Sequence, residues 1–312
     1  ALTTDNLFTF TSDRDRFFVA NGQIYLSKGH YLQKDGLPAD QNHYLYFSKK
    51  KPVLNNKLLL IIDPSLPPYI YQQLMSEIPR LKDYYTNKMH KSYDQPITIY
   101  FSYLRDGQKG SSLKGTALPG QLMMFLITKD DTLTQSRYPS NNIHLFWFFA
   151  HEIGHFWNSK IARYDNSNDT YDLGGWIWEG ASEIFSWQYL KDQRLLSEKK
   201  SIDIVKDRLH KCSNVLQRMP LHESNRKNER KANYDCGFVL QYGLIKHLPE
   251  KSIFSLWKRL VHLETYNEKT FIEEVKNLTG KKSLASAIQK IVNEKLENPT
   301  MFLEEYLNKT YE

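Results

Sequence analysis

The chain has 312 residues, 40% of them hydrophobic and 25% charged, an ordinary globular balance that excludes a disordered or low-complexity polymer. Two cysteines are too few for a disulfide scaffold or a thiolate zinc site, and no run of about 18 uninterrupted apolar residues is present to form a membrane span. The formal charge of +7 includes a basic run, Arg226, Lys227, Arg230 and Lys231, but Glu229 interrupts it within a polar stretch, so it reads as a solvated loop and not as a nucleic-acid surface.

Residues 7–11, 23–26, 44–47 and 58–62 read as short strands between polar turns, which predicts a β-rich N-terminal module over residues 1–62. The start at Ala1 fits a chain matured by signal cleavage, and export to the periplasm or outside the cell is the expectation; a trimmed chain would begin in the same way. Beyond Asp63, Pro64, Pro67 and Pro68, the spacing of Ile70, Leu74, Ile78 and Leu81 predicts a helix over residues 69–90, kinked at Pro79. Pro96 opens a strand over residues 97–102. Gly107, Gly110, Gly115 and Gly120 mark a mobile loop, which leads into a second, buried strand over residues 121–127. If the edge of that strand faces a cleft, it can take an extended peptide by strand addition.

From Asn141 onward the patterns are helical, over residues 142–160, 175–191, 202–218, 235–248, 251–264, 268–278 and 282–296. Strands first and helices after predict an α+β fold, with a second domain over residues 63–312. That domain divides into a sheet with one helix (63–160) and a helical subdomain (161–312). Cys212 and Cys236 flank the polar stretch 219–233 and are either one disulfide or two buried thiols.

The chemistry is concentrated in residues 151–155, where His151, Glu152 and His155 form an H-E-x-x-H motif inside an apolar, aromatic run. Residues four apart share a helix face, so both imidazoles can hold one Zn²⁺ while Glu152, turned about 100° away, acts as general base toward a water. Downstream, Glu179 lies among Trp176, Ile177, Trp178, Gly180 and Ala181, where an unpaired carboxylate is costly and a metal relieves the cost. Gly180 and Ala181 are small enough for this helix to approach the histidine helix closely. Glu183, four residues after Glu179, is either a partner that orients a ligand imidazole or an exposed glutamate.

H-E-I-G-H-F-W-N followed by W-I-W-E-G-A-S resembles the gluzincin zinc peptidases, most closely the M1 aminopeptidase-like branch. The resemblance covers roughly residues 70–295 and implies a thermolysin-like catalytic domain with one zinc held by His151, His155 and Glu179. Tyr234, in Asn233-Tyr234-Asp235-Cys236-Gly237, matches the Y-x-x-G helix start whose tyrosine stabilises the tetrahedral intermediate in that family. Two departures stand out. The 23 residues between His155 and Glu179 are more than is usual there, with a polar insert at 163–172. Where the branch carries G-x-M-E-N, this chain has Gly115, Thr116, Ala117, Leu118, Pro119, Gly120 and Gln121, so the glutamate that binds a free amino terminus is missing.

The expected activity is therefore metal-assisted hydrolysis of peptide or protein substrates without standard aminopeptidase specificity. Hydrolysis of a non-peptide substrate and a non-catalytic binding module that keeps the fold are the alternatives. Glu152 and Tyr234 together argue against the latter, because neither is needed to hold a metal.

Overall fold

The computed structural model describes residues 7–11, 23–25, 42–48, 53–55, 58–63, 66–93, 97–105, 111–118, 121–128, 143–158, 174–263 and 265–311. The expected features at Leu26, Gly107, Gly110, Gly120 and residues 163–172 lie outside them. The fold is α+β, with every described strand before residue 129 and helices from Ile143 onward. Two compact units emerge, residues 1–83 with 93–142 and residues 84–92 with 143–312.

In the first unit, β1 (Leu7–Thr11), β2 (Gln23–Tyr25) and β3 (Asn42–Ser48) form an antiparallel sheet of order β1-β3-β2. A second sheet joins β4 (Val53–Asn55), β5 (Leu58–Ile62), β6 (Ile97–Arg105), β7 (Ser111–Leu118) and β8 (Gln121–Thr128) in the order β4-β5-β6-β8-β7. The β5–β6 and β6–β8 pairs are parallel and the outer pairs antiparallel. Residues 97–103 of β6 are buried on both faces, as a strand between two parallel neighbours must be.

Three expectations change here. The boundary after residue 62 separates β5 from the sheet it belongs to, because β5 pairs along its length with β6. The glycine-marked loop is in large part strand β7, in which exposed Lys114 and Thr116 alternate with half-buried neighbours, and an edge position tolerates Gly115. Strand β8 has no free edge, since β6 and β7 pair with its two sides, so strand addition at β8 is closed. Helix α1 (Pro68–Met89) runs through Pro79 as one element and buries Ile70, Leu74, Ile78 and Leu81.

The second unit holds α2 (Ile143–Asn158), α3 (Gly175–Asp192), α4 (Glu198–Leu216), α5 (Lys231–Ile245), α6 (Phe254–Leu260), α7 (Glu268–Thr279), α8 (Lys282–Asn293) and α9 (Pro299–Asn308). Helix α3 is apolar around most of its circumference and packs between α2 and α5, a buried core helix. Its contact with α5 is backbone to backbone. A Cβ on Gly180 would lie 2.4 Å from the Gly237 carbonyl carbon, and one on Gly237 would lie 2.3 Å from the Trp176 oxygen. Gly180 thus admits α5, whereas on the histidine helix Gly154 faces Ser182 and Phe185 of α3.

The C-terminal end of α2 is pinned on several sides. Tyr85 donates to the Ala150 carbonyl (2.9 Å), Trp157 Nε1 to the Lys91 carbonyl (3.0 Å), and the Tyr266 hydroxyl to the Asn158 carbonyl. The Tyr85 ring packs on Trp157 of α2 and belongs to a cluster with Phe185, Phe254 and Trp257. Helix α5 starts at Lys231, before the expected residue 235, which puts Tyr234 within its first turn. The expected helix over 251–264 shortens to α6, because Glu250 and Lys251 take positive φ (58° and 48°). No periodic pattern announced α9, yet its start carries a capping signature: Asn298 Oδ1 accepts from Met301 N, and Pro299 is the first helical residue. Cys212 and Cys236 form a disulfide joining α4 to α5.

Candidate metal centre

Helical spacing puts His151 and His155 one turn apart on α2, and α3 brings Glu179 to the same point. His151 Nε2 is 3.1 Å from His155 Nε2 and 3.1 Å from Glu179 Oε2, and His155 Nε2 is 3.4 Å from that oxygen. Ligand atoms about 2.0–2.2 Å from a tetrahedral ion lie roughly 3.3–3.6 Å apart, so the three atoms come within a few tenths of an ångström of the spacing of metal ligands. The group is buried on the His151 side, and the His155 and Glu179 side chains keep 12% and 18% exposure, which leaves one side open to solvent.

The far side of each ligand is committed. Glu179 Oε1 accepts from Trp178 Nε1 (3.2 Å), which leaves Oε2 for the cluster. His155 Nδ1 is 3.1 Å from Asn158 Oδ1, while Asn158 Nδ2 donates to the Trp178 carbonyl (2.8 Å) and to Ser182 Oγ (2.9 Å). Those two donations fix Asn158 with its oxygen toward His155, so His155 carries its proton on Nδ1. His151 Nδ1 is 2.9 Å from Glu183 Oε1. That contact is at ion-pair distance but off the N–H direction, so Nδ1 lacks an aligned hydrogen bond. A carboxylate beside Nδ1 still favours the proton there. With both Nδ1 atoms protonated, two imidazole lone pairs and a carboxylate oxygen face one another, and a cation or an extra proton must separate them.

In the metal-free protein His151 is the group drawn toward that extra proton. Burial works against the imidazolium, but the hydrogen bond to Glu179 and the negative charge of the adjoining Glu183 outweigh it and hold His151 well above its ordinary value. For Glu179 burial is likewise outweighed, chiefly by His155 and His151, and the carboxyl is held well below the usual range. Burial pushes Glu152 up, against the attraction of His151 and His155. Glu152 is 7% exposed and sits on α2 between the two histidines.

Tyr234 comes into the site from α5. Its ring is nearly parallel to that of His151, with centroids 5.6 Å apart, and its hydroxyl interacts with Glu179. Burial first, and the neighbouring glutamates next, push the phenol up, so it stays a hydrogen-bond donor. Tyr242, two turns on, packs instead against Trp187 and Phe238. All six residues singled out from the sequence, His151, Glu152, His155, Glu179, Glu183 and Tyr234, thus lie in one cluster, and Glu183 is buried at 5% exposure. His144 is exposed, while His210, His222 and His247 contact Asn214, the Val292 carbonyl and Tyr311 respectively, outside the cluster.

Sequence reasoning did not single out Asn158, Ser182, Trp147, Arg208 or Asp235. Asn158 was within reach, being three residues after His155 on the same helix face. Trp147 Nε1 donates to Glu183 Oε2 (3.2 Å), and Arg208 of α4 bridges Glu183 and Asp235. No local pattern links Arg208 to residues 25 positions away on another helix. No family model matches the chain, and no curated protein matches it.

Proposed function

We infer that this protein is a zinc metallopeptidase with a thermolysin-like catalytic arrangement of the gluzincin type, one zinc being held by His151, His155 and Glu179. The convergence of three ligand atoms at 3.1–3.4 Å, with the far side of each committed to another partner, carries this reading. Two imidazoles and one carboxylate with an open side are the donor set of catalytic zinc. A divalent ion there would acidify a water and polarise a carbonyl oxygen.

The protein's own groups supply the rest. Glu152 takes a proton from the attacking water and returns it to the leaving nitrogen, and its raised pKa suits a group that must hold a proton between the two steps. Tyr234 donates its hydroxyl to the oxygen that gains charge at the reacting carbon, a role its unionised phenol fits. The expected substrate is an internal peptide bond. Glu183, the first candidate to stand in for the missing amine-binding glutamate, is buried and already engaged by His151, Trp147 and Arg208. The Cys212–Cys236 bond supports export, since such cross-links persist in oxidising compartments.

Elemental analysis and peptide cleavage test the proposal together. The purified chain should carry about one zinc, and His151→Ala, His155→Ala or Glu179→Ala should lose it. Matched peptides with free and acetylated amino termini should be cleaved alike. Full zinc occupancy in all three variants sinks the ligand assignment, and cleavage restricted to the free-amine peptide sinks the endopeptidase specificity.

A further inference from the structure

Glu183 and its partners contain more than a metal site requires. The carboxylate divides its oxygens, with Oε1 2.9 Å from His151 Nδ1 and Oε2 accepting from Trp147 Nε1 and Arg208 Nη2. The other arm of the Arg208 fork, Nη1, donates to Asp235 Oδ1, and the guanidinium carbon lies 6.0 Å from the Phe238 ring centroid. Arg208 therefore joins α4 to α3 through Glu183 and to α5 through Asp235. A carboxylate at 5% exposure is costly without such a partner. Without Arg208, the Trp147 indole alone among the described residues would steady Oε2, and the carboxylate could rotate away from His151.

We propose that Arg208 is a positioning residue for the metal ligand His151. By holding Glu183 in place, with its Oε1 2.9 Å from His151 Nδ1, it fixes the imidazole and aims Nε2 at the point shared with His155 and Glu179. Arg208 itself contacts Glu183, Asp235 and the Phe238 ring, and reaches His151 through Glu183. Lysine cannot replace it fully, because one ammonium cannot span Glu183 and Asp235 as a planar fork does. This inference rests on the metal reading of the site.

The test is zinc affinity of the full chain, measured by competition with a chromophoric chelator and accompanied by the visible spectrum of the cobalt-substituted protein. Loss of a partner behind a ligand histidine weakens metal binding by roughly 10–100-fold, so Arg208→Met should lose affinity in that range and shift the cobalt bands. Arg208→Lys should recover part of the loss. Asp235→Asn, which loosens the α4–α5 join but leaves the Glu183 arm, should bind zinc nearly as well as wild type. In a Glu183→Ala background, adding Arg208→Met should cost nothing further, because the route through Glu183 is already gone.

Wild-type affinity in folded Arg208→Met overturns the inference. So do equal losses in Arg208→Met and Asp235→Asn, the mark of a merely structural clamp, and an additive loss in the double variant. If Arg208→Met does not fold, Arg208→Lys carries the test, and unchanged affinity and spectrum in it count against the proposal. A wild-type chain that binds no zinc overturns the metal reading along with this inference, whereas a zinc-binding chain indifferent to Arg208 overturns this inference alone.

Discussion

His151 and His155 present the same nitrogen to the same point, but what stands behind them is opposite in kind. Behind His151 runs a charged chain, Glu183, Arg208 and Asp235, drawn from three helices. Behind His155 stand neutral groups, Asn158 Oδ1 and Ser182 Oγ, each 3.1 Å from Nδ1 and both fully buried. A carboxylate raises the basicity of the ring it contacts, whereas an amide oxygen mainly sets tautomer and orientation. One imidazole is therefore electronically strengthened and the other sterically fixed. Tyr234 and the disulfide both belong to the charged side, since the tyrosine stacks on His151 and Cys236 adjoins Asp235.

The largest effect should come from Glu152, which sits on α2 between the two histidines. Glu152→Gln should lower kcat by about 10²–10⁴-fold, the usual worth of a general base, with zinc content unchanged. A variant that loses its zinc would mean that Glu152 helps to build the ligand set and does not act as base alone.

Next in size is the tyrosine on the charged side. Tyr234→Phe keeps the ring stacked on His151 and removes only the hydroxyl, and should reduce kcat by about 10²-fold with KM little changed. Tyr242→Phe, packed on Trp187 and Phe238, should be near silent. Full kcat in Tyr234→Phe on a confirmed substrate would place the oxyanion donor elsewhere.

A third expectation follows from the proton on His151. Its pKa in the folded, metal-free protein is raised by Glu179 and Glu183 despite burial. The stabilisation this gives the metal-free fold is fully present below the unfolded imidazole value of about 6.5 and is lost as pH rises through the folded one. Metal binding must expel that proton, so zinc affinity should climb with pH, by up to about tenfold per unit for one proton released. Calorimetry in buffers of different ionisation enthalpy reads the proton count directly, and a count of zero would show that His151 is already neutral.

The smallest effect on catalysis, though not on stability, should come from reducing the disulfide. Cys212 and Cys236 are 24 residues apart, and the chain-entropy argument gives roughly 3–4 kcal/mol for closing such a segment. Reduction should lower the denaturant midpoint by a corresponding amount and leave zinc content intact. An unchanged midpoint would mean that the packing of α4 on α5 already supplies the constraint.

The part of the site legible in the sequence is the part that helix geometry makes local. His151, Glu152 and His155 follow from a four-residue spacing, and Glu179 from the cost of an acid in an apolar run, so each could be read within one helix. Most helix positions were legible for the same reason, since burial of one face imposes its own period. The backing of the ligands was not. Arg208 meets Glu183, and Ser182 meets Asn158, only because α2, α3, α4 and α5 pack together, and no spacing in the chain encodes which polar groups that packing buries. The same holds for Gly180, whose smallness was plain while its partner, Gly237 of α5, was not, and for β8, whose apolar run announced burial but not the two neighbours that close its edges. Local periodicity decides what an element is and which face it hides. Only the tertiary structure decides what that face meets, because the pairing of distant polar groups and strands is set by the free energy of the whole packed unit.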